Sequence, residues 1–313
     1  MRRTHAAALS TIAVVALLAL ACSRHDDRAA SAEDAGAAGA GASSAAARSS
    51  AAPQQTPLPP AGSGAVQALD ASPRHGEWDM IPAPDGDSVR AWVVYPERSE
   101  AAPVVIVVHE IFGLTHWVRA VADQLAAEGF IAVAPDLLSG QTIPTDSIGD
   151  PRRDEAVAAI RKLDPAQVDR RLKAAARWAT ALPAATKKYG IVGFCWGGST
   201  VFAQATRDPD LAATVVYYGS SPDREALSHV ESPVLGLYGG DDNRVVSTVP
   251  PADTAMRAMG KTYEPHVFEG AGHGFLRAQE GRDGANMKAT ERAWPLTVDW
   301  FRQYLEASAS GAT

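Results

Sequence analysis

The chain is predicted to fold as an α/β protein, a doubly wound and mainly parallel sheet with helices on both faces. Short β-branched runs alternate with stretches of helical periodicity from about residue 89 onward. The run at residues 104–109 is apolar at every position up to its terminal histidine, as expected of a strand covered on both faces. Gly and Pro stand where one element gives way to the next.

The elements follow in order. Residues 89–95 form a strand, and a Pro-containing turn leads to the central strand at 104–109. Residues 117–128 have helical spacing and stop at Gly129. A short strand at 131–134 then ends in Pro135-Asp136, completing a βαβ unit. Helices are expected at 153–163 and 165–182. A strand at 189–192 runs into the Gly-rich segment around Cys195, and a helix continues to about Arg207. Further strands are expected at 213–217, 234–238 and 263–268, with helices at 251–259 and 294–304. No internal repeat is present.

The first seventy or so residues read differently. Arg2 and Arg3 precede an Ala-rich apolar run from 6 to 21, with Cys22 directly after Leu18-Ala19-Leu20-Ala21. Residues 1–21 resemble a bacterial lipoprotein signal, which implies that Cys22 carries a lipid and that the protein is exported and membrane-anchored. Residues 22–72 are rich in Ala, Gly, Ser and Pro, with little apolar surface to offset the entropy of ordering. They read as a flexible tether. The folded domain is expected over 73–308, with a disordered tail at 309–313, and as a monomer. The chain contains two cysteines, so lipidation of Cys22 leaves Cys195 as a free thiol. A net charge of −7, without a basic stripe, argues against a nucleic-acid partner.

Gly193-Phe194-Cys195-Trp196-Gly197 has a Gly-x-nucleophile-x-Gly pattern between a strand and a helix. A tight turn there exposes the reactive atom above the sheet. The amino end of the following helix favours a thiolate, and the Trp196 amide faces a developing oxyanion. A nucleophile of this kind needs a base and an orienting acid, which in this arrangement come later in the chain. Asp242 in Gly239-Gly240-Asp241-Asp242 follows the strand at 234–238, and His273 in Ala271-Gly272-His273-Gly274 follows the strand at 263–268. Asp242 is preferred for its spacing, with Asp241 the alternative. His229 and His266 lack such a setting.

With these motifs, residues from about 75 to 304 resemble the dienelactone hydrolase family, which has the α/β-hydrolase fold and a Cys-Asp-His triad. His109-Glu110-Ile111-Phe112-Gly113 resembles that family's Glu-Ile-Phe-Gly loop. The resemblance implies that the Ile111 amide completes an oxyanion hole with Trp196, and that Glu110 restrains the resting thiol. It also implies that Arg153 and Arg277 bind a substrate carboxylate. Gly274 and Val157 depart from the family, which more often has Ser beside the histidine and an aromatic hydroxyl near the substrate. The implied activity is hydrolysis of small carboxylic esters or lactones through an acyl-thioester, of the carboxymethylenebutenolidase type, without metal or organic cofactor. A tethered binding protein for a carboxylated ligand, or a thiol acyltransferase or peptidase, are the alternatives.

Overall fold

A computed structural model describes residues 56–306. In chain order its elements are α1 (Ala65–Asp70), β1 (Gly76–Pro82), β2 (Ser88–Val94), β3 (Ala102–Val108), α2 (His116–Ala127), β4 (Ile131–Pro135), α3 (Arg153–Ile160), α4 (Pro165–Ala181) and β5 (Ala185–Phe194). They continue with α5 (Trp196–Ala205), β6 (Ala213–Tyr217), α6 (Arg224–Leu227), β7 (Val234–Gly239), α7 (Asn243–Val246), α8 (Val249–Ala258), β8 (Tyr263–Phe268) and α9 (Ala285–Phe301). The strands form one sheet in the order β1-β2-β4-β3-β5-β6-β7-β8. Every pairing from β4 through β8 is parallel. β2 runs antiparallel to both β1 and β4.

The central strand explains the two-layer cover. Val104, Ile106 and Val108 of β3 enter one apolar cluster, while Val105 and Val107 enter the other. α4, α5 and α8 close the first face, and α1, α2 and α9 close the second. Each fully buried side chain of the Ile106, Leu125 or Phe194 kind contributes about 1.5–3 kcal/mol. This two-sided burial holds the parallel strands rigid, so their carboxyl ends form a fixed edge for the loops above them.

Four differences from the sequence expectation have physical causes. β1 was not foreseen, because as an edge strand it leaves Trp78 and Met80 exposed and lacks an apolar run. β5 begins four residues before the expected strand, its added segment including the exposed Lys187 and Lys188. α9 begins at Ala285 rather than near residue 294, and it runs through Pro295, a residue that ordinarily marks a helix start. The fourth difference corrects the tether: residues 56–72, assigned to it by composition, fold against the domain.

The apolar content of that segment is small but well used. Ala65 is buried in the second cluster, and Leu58 and Leu69 pack against it. The carbonyls of Pro59 and Pro60 accept hydrogen bonds from Gln279 Nε2 at 2.9 Å and Trp117 Nε1 at 3.1 Å. The folded region therefore begins at least as early as Thr56. Cys22, the leader, the earlier part of the expected tether and the tail at 309–313 lie outside the described residues. Among the described residues, no helix is long and apolar enough to cross a membrane.

Candidate active site

β5 ends at Phe194 and α5 begins at Trp196, so Cys195 alone turns the chain, at φ 58° and ψ −115°. A non-glycine residue at such angles costs on the order of 1–3 kcal/mol and persists because its surroundings hold it. Here the Cys195 N–H donates to the Tyr217 carbonyl at 3.1 Å, and the Cys195 carbonyl accepts from Ser199 at 3.2 Å. The flanking glycines are required by close approach. A Cβ on Gly193 would lie 2.2 Å from the Gly197 carbonyl oxygen, and one on Gly197 would lie 2.4 Å from that of His109.

Opposing influences act on the thiol. Burial pushes its pKa up, and the nearby Glu110 carboxylate pushes it further in the same direction. The backbone amides of Trp196 and Ile111 act on the thiol in the lowering direction, as does the Arg244 charge. Burial and Glu110 prevail, so the net direction is upward, against the thiolate expected from the helix start.

β7 and β8 deliver the remaining pair. Asp242 follows β7 and His273 follows β8, and His273 Nδ1 lies 2.5 Å from Asp242 Oδ2. The Asp242 side chain is 8% exposed and that of His273 34%, which leaves the imidazole reachable while its partner is fixed. Of the two adjacent carboxylates, Asp241 turns away and pairs with Arg282 at 2.9 Å.

Glu110, at the end of β3, is buried and accepts a hydrogen bond from Arg277 Nε at 2.7 Å. Burial pushes its pKa up, and Arg277, with Arg153 farther off, pulls it back. The guanidinium groups of Arg153 and Arg277 lie 4.5 and 5.3 Å from the centre of the Phe112 ring. All four residues line a cavity of about 650 Å³, walled on another side by Gly62 and Val66 of the N-terminal segment. The Gly62 N–H donates to the Arg277 carbonyl at 2.8 Å, so this segment also fixes the backbone that carries the arginine.

The sequence pattern of the dienelactone hydrolase family matches residues 89–305. The chain belongs to the dienelactone hydrolase family. It is 32% identical over 266 residues to the "Putative carboxymethylenebutenolidase" of Escherichia coli K12, covering 80% of this chain and 96% of that one. It is also 32% identical over 225 residues to the mouse "Carboxymethylenebutenolidase homolog", covering 67% of this chain and 87% of the relative. A solved "Putative Dienelactone Hydrolase" from Klebsiella pneumoniae superposes with a TM-score of 0.65 at 30% identity, over 74% of this chain and 99% of that one. The protein is accordingly a hydrolase of the dienelactone hydrolase class.

Two further features of this dienelactone hydrolase stand out. Gly274, where the family more often has Ser, has φ +74°, a conformation a side chain rarely adopts. Tyr218, which no sequence motif marks, packs its ring 5.2 Å from that of His273 at a strained φ of 39°. Its hydroxyl is buried and has no hydrogen-bond partner among the described residues. The available signal was its position just beyond β6, at the edge where the other loops gather.

The Glu110 effect on the thiol gives a first expected result. In Glu110→Gln the negative charge is lost while an oxygen acceptor for Arg277 remains, so the Cys195 pKa falls and the thiolate fraction near pH 8 rises. Alkylation of Cys195 by iodoacetamide, followed by peptide mass spectrometry, should be roughly several-fold faster than in the parent. An equal or slower rate would remove the restraining role.

Proposed function

We propose that the protein hydrolyses esters or lactones of small carboxylated molecules through Cys195, His273 and Asp242, by way of an acyl-thioester. The single observation that carries the reading is a cysteine held at strained angles between β5 and α5, with the Ile111 and Trp196 amides acting on its thiol. An oxygen developing negative charge beside that sulfur meets the same two donors.

In this reading Glu110 keeps the resting thiol protonated. A substrate carboxylate seated on Arg153 and Arg277 competes with Glu110 for Arg277 and brings the carbonyl to the sulfur. His273 takes the thiol proton, and sulfur bonds to the carbonyl carbon while the carbonyl electrons move to oxygen. The tetrahedral intermediate collapses with cleavage of the acyl carbon–oxygen bond, and His273 protonates the leaving oxygen. Water, deprotonated by His273, then hydrolyses the thioester. In a lactone the leaving oxygen remains attached to the acyl group.

The test compares a lactone bearing a free carboxylate with p-nitrophenyl acetate. The carboxylated substrate should show the higher kcat/KM. Arg153→Met should lower that value ~10- to 100-fold, the worth of one hydrogen bond to a charged group, while leaving the neutral ester within about threefold. Equal losses for both substrates would sink the assignment of a carboxylate subsite.

A further inference from the structure

The loop carrying Ile111 leaves β3 through His109, which is fully buried and has no part in the chemistry above. Its ring occupies a defined place. His109 Nδ1 lies 2.8 Å from the Glu110 carbonyl oxygen, and Nε2 lies 3.3 Å from the Leu137 backbone nitrogen. The Leu137 N–H can only donate, so Nε2 accepts and the proton sits on Nδ1, from which it is given to Glu110. Burial depresses the imidazole pKa, in keeping with a neutral ring.

The Glu110 carbonyl and the Ile111 N–H belong to one planar peptide group and point in opposite directions across it. Fixing the oxygen therefore fixes the direction of the N–H. Two donors hold the oxygen, His109 Nδ1–H and the Gly113 N–H at 3.2 Å. On the other side of the peptide the Ile111 N–H meets the Cys195 sulfur. The same imidazole stacks on the Trp196 ring, with centroids 5.6 Å apart and planes 19° from parallel. Trp196 supplies the second amide at the sulfur. One side chain thus touches the peptide group that includes the first donor and the residue that carries the second.

We propose that His109 is the positioning residue of the oxyanion hole, aligning the Ile111 amide through the Glu110 carbonyl and bracing Trp196 through its ring. The proposal rests on the reading of those two amides as the oxyanion donors. It goes beyond that reading in assigning their alignment to a neutral histidine of fixed tautomer.

Two substitutions in the full chain separate the two contacts. His109→Phe keeps a flat ring against Trp196 and removes the donor. His109→Asn keeps a donor near the Nδ1 position and removes the stack. In His109→Phe, kcat for p-nitrophenyl acetate should fall ~10- to 100-fold, somewhat less than the loss of a whole oxyanion donor, with KM within about twofold. His109→Asn should recover most of that loss. Alkylation of Cys195 by iodoacetamide is a displacement that needs no oxyanion hole, so its rate above the titration of the thiol should match the parent's. A purely structural role would instead lower thermal stability while leaving kcat per alkylatable site unchanged, and that outcome overturns the proposal. Imidazole nitrogen NMR of the unmodified protein gives a second reading that needs no folded variant. A proton on Nδ1 is expected, and a proton on Nε2 overturns the proposal. If Cys195→Ala retains turnover, the underlying mechanism fails. If that variant is inactive while His109→Phe is fully active, the positioning role alone fails.

Discussion

Cys195→Ala is expected to abolish hydrolysis of both the carboxylated lactone and p-nitrophenyl acetate, lowering kcat by about four orders of magnitude or more. The substitution keeps the Cβ, and the residue sits at φ 58° in either case, so the turn and its hydrogen bond to Tyr217 are retained. What is lost is the sulfur that both amides face. On the proposed mechanism the variant forms no thioester, so any stopped-flow burst of p-nitrophenol shown by the parent should vanish along with steady-state turnover. Unchanged melting temperature beside lost activity separates the chemistry from the fold. Turnover within tenfold of the parent would mean that water is activated directly at this site and that the thiol is a bystander.

The sequence carried the parallel core well because central strands covered on both faces are written as apolar runs, as in β3 and β4. What it concealed lies where burial is partial. β1 pairs along its whole length with β2, yet its side chains alternate between cover and solvent, and Glu77 and Asp79 read as loop. Residues 56–72 contain few large apolar groups, and their attachment depends on backbone carbonyls accepting from Gln279 and Trp117. Main-chain hydrogen bonds of that kind leave no trace in composition.

The site was legible to the extent that its geometry is local. Steric demands at the Cys195 turn select glycines at fixed spacing, so the motif appears in the sequence. Two features depend on distant parts of the chain instead. Glu110 and Arg277 are 167 positions apart and meet in a hydrogen bond, so the arginine expected to hold substrate is engaged by the residue expected to restrain the thiol. Likewise, the upward push on the Cys195 pKa arises from burial and from Glu110, neither of which can be summed from the pentapeptide. His109 stands within a sequence motif, yet its contacts with Leu137 and Trp196 exist only once β3, β4 and β5 lie side by side.

Asp242→Asn is expected to cost about 10²- to 10⁴-fold in steady-state turnover, because the imidazole then loses the partner that fixes its tautomer and stabilises its protonated form. The neighbouring carboxylate offers no substitute. Asp241 is held by Arg282, and Asp241→Asn should leave turnover within about threefold. The two chemical steps should respond unequally. A thiol provides some thiolate at mildly alkaline pH without help, whereas water is a far weaker nucleophile and depends on His273 to lose its proton. Deacylation should therefore slow more than acylation, and the acyl-thioester should accumulate. With p-nitrophenyl acetate the variant should release one equivalent of p-nitrophenol in a burst and then turn over slowly, with a mass increment of one acetyl group on Cys195. Loss of turnover without a burst would place the need for Asp242 in thiolate formation. Full steady-state activity would separate the His273–Asp242 hydrogen bond from catalysis altogether.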